Sequence, residues 1–156
     1  MPALPGVTES HAMFKVDHID HVELFVPDRQ EAARWYERTL GLAVVPEYEH
    51  WAEDPHGPLM ISSDGGGTKL ALFTGEPRGR RPTAGFHLVA FRVDGAGYLA
   101  FLDHVEGAPV FNEAGEEVRS LKPRDHGQAF SVYFCDPWGH RLEVTTYDAA
   151  YVREHL

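Results

Sequence analysis

Hydrophobic and polar positions alternate along residues 19–26, which is the pattern of a strand with one buried face. Asp28 and Glu31 then form a capping-box pair, and an apolar stripe at helical spacing continues from them to Gly41. This order predicts a strand followed by a helix that ends at the glycine. Three further short strands are predicted at residues 42–49, 59–63 and 68–73.

The same order of elements returns in the second half of the chain. A strand is predicted at residues 86–93 and a helix at residues 95–105. Weaker strands follow at residues 118–121, 129–135 and 140–146. The chain therefore divides into a leader at residues 1–15, one domain at residues 16–147 built from two βαβββ modules (about 16–75 and 84–147), and a C-terminal helix at residues 148–156.

Both modules begin with the motif His-x-x-x-Phe-x-x-Asp, which starts at His21 in the first module and at His87 in the second. Their last strands also match, because a turn glycine and a basic residue precede a leucine in each, and Ala71 then corresponds to Glu143. Two copies of one supersecondary unit place such matched residues around a pseudo-twofold axis. The prediction is an α+β fold whose mixed sheets enclose a metal-binding cavity lined by these four positions.

Three of the four matched positions hold metal-binding side chains, namely His21, His87 and Glu143. Two imidazoles and one carboxylate, with coordination positions left open, are the ligand set of non-haem Fe(II) enzymes that activate dioxygen. Ala71 leaves the fourth position blank, which predicts an open side where substrate and dioxygen reach the ion. We expect Fe(II) here, with Mn(II) or another divalent metal as the alternative, since the ligand types overlap.

The amino-acid composition limits the kinds of partner that the protein is expected to bind. The formal net charge of −10 argues against nucleic acid or an anionic membrane. No apolar run has the length of a membrane span, and the first residues lack a signal-peptide pattern. The single cysteine, Cys135, suits a reducing compartment. We therefore expect a cytoplasmic protein with a small-molecule substrate, and a homo-oligomer, because open mixed sheets commonly associate.

The repeat and the ends of its elements resemble the vicinal oxygen chelate superfamily. The resemblance covers about residues 17–147 and is carried by the βαβββ repeat, the helix end Leu40-Gly41-Leu42, and the sequence Asp136-Pro137-x-Gly139-x-x-x-Glu143. That superfamily includes glyoxalase I, fosfomycin-resistance thiol transferases, bleomycin-binding proteins and extradiol ring-cleaving dioxygenases. The resemblance implies the fold directly, whereas function is open because one scaffold hosts several chemistries.

The stretch from His126 to Glu143 is similar to the signature of single-domain type I extradiol dioxygenases. In that signature a histidine precedes an apolar–tyrosine pair, then Asp-Pro-x-Gly and the glutamate ligand; here the pair is Val132-Tyr133, and Arg124 is a departure. The resemblance implies cleavage of a catechol-type aromatic by dioxygen, with His126 and Tyr133 as catalytic acid–base groups.

One expected acid–base group is missing from this resemblance. Two-domain extradiol enzymes carry a further histidine upstream of the second histidine ligand, and residues 72–74 offer no titratable side chain there. His50 or His56 is left as a candidate for that role.

Rival functions stay open. A glyoxalase-type isomerase needs a carboxylate or amide where Ala71 stands. A fosfomycin-type transferase would use the same triad with Mn(II) as Lewis acid, although Arg78, Arg80 and Arg81 read as linker charges. A non-enzymatic drug- or metabolite-binding protein needs no ligands at all. The sequence also leaves open whether one chain supplies the whole triad, which we favour, or whether modules swap between chains.

Overall fold

The computed structural model describes residues 14–77, 79, 81–85 and 87–156. Most of the predicted leader, Arg78, Arg80 and the first residue of the predicted strand at 86–93 lie outside these ranges. Within the described residues, no helix is long and apolar enough to cross a membrane.

The first module forms a four-stranded mixed sheet with one helix packed on it. Its elements are β1 (His21–Phe25), α1 (Arg29–Leu40), β2 (Ala43–Val44), a 3₁₀ segment (Pro46–Glu53), β3 (Leu59–Ser62) and β4 (Lys69–Phe73). The strand order is β1-β4-β3-β2, with β1 parallel to β4 and the other pairs antiparallel. This is the βαβββ unit that the hydrophobic pattern predicts.

The second module repeats this plan with a larger sheet. Its elements are β5 (Val89–Arg92), α2 (Gly95–His104), β6 (Val110–Phe111), β7 (Glu117–Val118), β8 (Arg124–Asp125), β9 (Phe130–Cys135), β10 (Arg141–Thr146) and the C-terminal α3 (Ala149–His155). The strand order is β5-β10-β9-β6-β7, β5 runs parallel to β10, and β8 pairs with β9. The predicted α+β class with mixed sheets is confirmed. Strands β6 and β8 were not predicted, because two residues are too few to show a period of two.

Helix α1 begins and ends where its capping residues require. The Asp28 carboxylate accepts a hydrogen bond from the Glu31 backbone N–H, and Gly41 ends the helix with φ of 73°. Between them one stripe of side chains is buried, comprising Ala32, Ala33, Trp35, Tyr36 and Thr39. The sequence therefore fixes both the length and the inward face of this helix.

The prediction of a strand through residue 49 is wrong. Strand β2 stops at Val44, and Pro46 starts the 3₁₀ segment. Proline has no N–H for a sheet ladder but fits the first turn of a helix, which explains the change of structure. As a result, the 3₁₀ segment brings Tyr48 against the sheet face that carries Ala71.

The two modules share one hydrophobic core. Buried side chains of α1 and of β9 and β10 belong to the same cluster. Trp35 meets Trp138 edge-on, with ring centroids 6.4 Å apart. The Tyr36 hydroxyl donates to the buried Asp136 carboxylate at 2.6 Å. A polar bond and an aromatic contact thus join the first helix to the β9–β10 turn.

Candidate functional site

The outer face of the second sheet carries the predicted glutamate ligand. Leu142 and Val144 of β10 are buried in the core, so Glu143 between them points to the opposite face. In the ladder Glu143 lies opposite Tyr133 of β9 and beside Ala90 of β5. Residues opposite each other in a ladder share a face, so Glu143 and Tyr133 project together from the sheet.

The structure brings His126 and Tyr133 together. The His126 Nε2 and Tyr133 Oη atoms are 2.8 Å apart, a hydrogen bond whose direction depends on the imidazole tautomer. The loop between β8 and β9 holds His126 in this position. The backbone N–H of His126 donates to the Ala129 carbonyl at 2.8 Å, and Gly127 adopts a positive φ of 88°. Arg153 of α3 donates to the Gly127 carbonyl and fixes the same loop. Two residues singled out by a sequence signature are therefore one hydrogen-bonded pair.

Ser131 is part of this face and carries no role in the sequence analysis. Its hydroxyl donates to Glu143 Oε2 at 2.7 Å and lies 2.9 Å from the Thr145 hydroxyl. Ser131 is almost fully buried, so this contact orients the Glu143 carboxylate. Strand alternation places Ser131 on the Tyr133 face, and this was the only sequence signal for it.

His21 is held between two carboxylates on the first sheet. Its Nδ1 is 2.8 Å from Asp20 Oδ2, and its Nε2 is 3.1 Å from Glu23 Oε2. The hydrogen bond to Asp20 is the main cause of a raised His21 pKa, and Glu23 adds to it. Lys69, itself buried, donates to the other Asp20 oxygen at 3.1 Å. Asp20 and Glu23 are polar partners of His21 that no sequence motif indicated.

The position that was expected to be open is closed. Ala71 is fully buried, in a small apolar cluster with Val45 and Met60 that Tyr48 and Phe73 pack against. The first sheet therefore offers no vacancy beside Ala71, and the prediction of an open side there is wrong. Tyr48 covers it because the chain turns into the 3₁₀ segment instead of continuing as a strand.

The other candidate histidines lie on the surface. His50 is exposed, with its ring centroid 5.8 Å from that of Trp51. His56 is exposed too, and its backbone N–H donates to the Asp54 carboxylate. The structure shows neither of them in contact with the His126–Tyr133 pair.

The pairing of the first strand with the last strand differs between the two modules by one residue, when it is compared with the shared sequence motif. In the first sheet Glu23 lies opposite Ala71, and in the second sheet Ala90 lies opposite Glu143. Since Ala71 and Glu143 are the matched positions, Ala90 is the counterpart of Glu23. The shared sequence motif would instead match Glu23 with Val89.

This shift changes the counterpart of His21. Counting back along each strand, His21 corresponds to Leu88, whereas His87 precedes β5 and is exposed. The cause is the length of the connection between the strand and the helix cap. In the first module Pro27 is inserted before the cap residue, whereas in the second module the cap residue follows Val93 directly. The expected equivalence of His21 and His87 is therefore wrong in the ladder, while the role of His87 as a ligand stays a prediction.

Among the described residues of a single chain, the predicted metal ligands do not come together. His21 lies on the first sheet and Glu143 on the second, and in the parts of the chain that the structure describes no three His, Cys, Asp or Glu side chains converge to hold a metal. A cavity of about 610 Å³ lies elsewhere, between the end of α1 and α2, lined by Leu42, Phe91 and Phe101 among others.

The comparison with known families decides the class of protein. A family model described as the Glyoxalase/Bleomycin resistance protein/Dioxygenase superfamily matches residues 18–144. The chain belongs to this superfamily. The resemblance seen in the sequence is thereby confirmed at the level of the superfamily, and no curated protein matches the chain.

Solved structures with the glyoxalase superfamily fold are similar over most of the chain. A putative glyoxalase family protein from Bacillus anthracis is 17% identical, with a TM-score of 0.60, over 86% of this chain and 98% of that chain. The oxidase ChaP-H2 is 21% identical, with a TM-score of 0.58, over 85% of this chain and 94% of that chain.

A third similar structure contains a metal. It is a mutant of the fosfomycin resistance protein FosX from Listeria monocytogenes, in complex with Mn(II) and a dihydroxypropylphosphonic acid. It is 14% identical, with a TM-score of 0.60, over 90% of this chain and 100% of that chain. At these identities the likeness shows the fold, and a protein of this superfamily is seen to bind a divalent metal.

Proposed function

We propose that this glyoxalase superfamily protein is a metal-dependent extradiol dioxygenase that cleaves the ring of a catechol-type aromatic. The observation that carries the proposal is the His126–Tyr133 hydrogen bond, on the same sheet face as Glu143. An acid–base pair beside a metal-binding carboxylate is what proton transfer from a bound diol requires. The substrates are the aromatic diol and dioxygen.

The donor chemistry of the chain fits a divalent metal. Asp20 on the Nδ1 of His21 is the usual outer partner of a metal-binding histidine, and a metal at Nε2 would take the place of its contact with Glu23. We propose His21, His87 and Glu143 as ligands and Fe(II) as the metal, with Mn(II) as the alternative.

We further propose that two protomers complete the ligand set. Among the described strands β1 and β5 are sheet edges, with a partner on one side only, and His21 and Glu143 lie on or next to them. Pairing of β1 with β5 of a second copy would satisfy both edges and bring the two sheet faces together. This assembly is a homodimer, in place of the intrachain site that the sequence analysis favours.

The residues around the metal would handle the protons. A divalent metal held by His21, His87 and Glu143 would supply Lewis-acid chemistry that favours loss of protons from the diol. His126 would accept a proton from a substrate hydroxyl, and Tyr133, hydrogen-bonded to it, would hold the imidazole in place. Ser131 keeps the Glu143 carboxylate in one orientation throughout. The chain thus has an oriented ligand and a proton acceptor on adjacent strands.

Oxygen uptake tests the proposed reaction. The protein is reconstituted anaerobically with Fe(II), and catechol or a substituted catechol is then added with dioxygen. We expect iron-dependent oxygen consumption and a yellow ring-cleavage product that absorbs visible light. Tight metal binding without uptake across several catechols would contradict the proposal and favour a lyase or transferase of the same superfamily.

Replacing His126 should remove the proton acceptor while leaving the metal. We expect His126→Ala to lower kcat roughly 100-fold or more, the usual size of a general acid–base contribution. Tyr133→Phe should give a smaller loss, since His126 remains. His155→Ala, which changes an exposed histidine of α3, is the control. A His126→Ala variant that turns over at the normal rate would refute this role.

A further inference from the structure

A small pocket opens on the outer face of the second sheet, next to Tyr133. Its volume is about 130 Å³. Leu88, Tyr133 and Cys135 line it on this face, and two charged residues, Arg141 and Glu113, border it. A cavity of about 150 Å³ is known to hold a benzene molecule, so this pocket has room for a short substituent.

Arg141 lies on the same face as the proposed catalytic residues. In the β9–β10 ladder it is opposite Cys135, two residues before the Glu143–Tyr133 pair. Two residues along a strand span roughly 6.6 Å, about the distance from an aromatic ring to the end of a short side chain. The guanidinium is therefore placed beside a ring held at Glu143, without reaching the reacting atoms.

The hydrogen bonds of Arg141 are incomplete. Its Nη1 donates to Glu113 Oε2 at 2.6 Å. Its Nε is buried and has no hydrogen-bond partner among the described residues. A buried charged donor without an acceptor is costly, and a guanidinium binds a carboxylate best through two donors at once. The enclosed Nε is out of reach of an incoming anion, but Glu113 takes only one donor of the guanidinium, so a carboxylate that replaced Glu113 would gain a second hydrogen bond.

Glu113 shows which chemistry this site accepts. Its carboxylate already sits on the guanidinium, but the side chain is 71% exposed and lies in the turn between β6 and β7. An exposed carboxylate held by one bond exchanges easily, because such surface pairs contribute little free energy. Glu113 therefore occupies the position that a substrate carboxylate would take.

We propose that Arg141 determines specificity by binding the carboxylate of an acidic catechol. The substrate class is an aromatic diol with a short carboxylate side chain, such as 3,4-dihydroxyphenylacetate. The diol lies at Glu143 and the His126–Tyr133 pair, and the carboxylate enters the pocket and displaces Glu113. This inference rests on the proposed function, because it assigns the substrate of that same site.

The test compares an acidic and a neutral substrate. The ratio of kcat/KM for 3,4-dihydroxyphenylacetate to that for catechol is measured in the Fe(II)-loaded protein. Arg141→Gln should lower this ratio roughly 10- to 100-fold, the size expected for a lost charge-assisted hydrogen bond. Glu113→Gln, which frees the guanidinium, should raise the ratio severalfold. Arg119→Gln changes an exposed arginine of the same module and should leave the ratio unchanged.

Equilibrium binding separates this inference from the proposed function. The affinities of the same two compounds are measured anaerobically by calorimetry for the wild type and the three variants. The same changes in the affinity ratio without any oxygen uptake would support the carboxylate site and reject the dioxygenase. Turnover or binding whose ratio is the same in wild type, Arg141→Gln and Glu113→Gln would overturn the role of Arg141.

Discussion

Glu143→Ala is expected to remove most of the bound metal while the protein stays folded. Loss of a contact that merely orients a ligand costs about 10- to 100-fold in metal affinity, so loss of the ligand itself should exceed this. The fold should survive because Glu143 points away from the core, and Ser131 keeps the Thr145 hydroxyl as a neighbour. We expect the unfolding free energy to change by about 1 kcal/mol or less. Metal titration and thermal unfolding in chelator measure the two effects.

The control is Glu117→Ala, which removes an exposed glutamate of the same module that pairs with Arg119. It should leave metal affinity and stability unchanged. Full metal occupancy in Glu143→Ala would show that Glu143 is not a ligand. A large loss of stability in that variant would show that its effect on the metal is indirect.

Mixed protomers distinguish a shared site from a site within one chain. If two copies share each site, combining His21→Ala chains with Glu143→Ala chains restores one intact site in every mixed dimer. About a quarter of the wild-type sites should return after unfolding and refolding the mixture, since half of the dimers are mixed. No recovery in dimers shown to be mixed would favour a site built within one chain.

The local part of this structure follows from the sequence. Helix α1 was predictable because Asp28 and Gly41 satisfy its ends through their own side chain and backbone, with no distant partner needed. The order of β1, α1 and the later strands follows from hydrophobic periodicity in the same way. The contact between His126 and Tyr133 agrees with a signature in which a histidine precedes the apolar–tyrosine pair.

The features that were not predicted depend on packing between residues that are far apart in the chain. Tyr48 packs over Ala71, and its position is set by the turn at Pro46. No sequence pattern at Ala71 itself indicates this contact. The one-residue difference between the two ladders arises from the length of a connection, and a motif that aligns His21 with His87 ignores such a change. Register is fixed by which residues pair across strands, and that information is not local.

The contact between the two modules depends on the buried carboxylate of Asp136. Asp136 is 1% exposed and accepts four hydrogen bonds. They come from the Tyr36 hydroxyl, the Trp138 and His140 backbone N–H groups, and His140 Nδ1, which is 2.7 Å from Oδ2. Burial first, and the nearby Asp136 charge next, raise the pKa of Tyr36 well above its ordinary value. The phenol therefore keeps its proton and remains a donor.

Asp136→Ala is expected to lower the free energy of unfolding by about 3–5 kcal/mol, because it leaves several buried donors without an acceptor. This is a large fraction of the stability of an ordinary domain, which is roughly 5–15 kcal/mol. Tyr36→Phe removes only one donor and should cost about 1.5–3 kcal/mol. Urea unfolding of both variants, with the exposed Asp103→Ala as control, measures the losses. In the double variant Tyr36→Phe should add little, since its acceptor is already gone. Full additivity would mean that each residue stabilises its own module separately, and that the hydrogen bond between them does not hold the modules together.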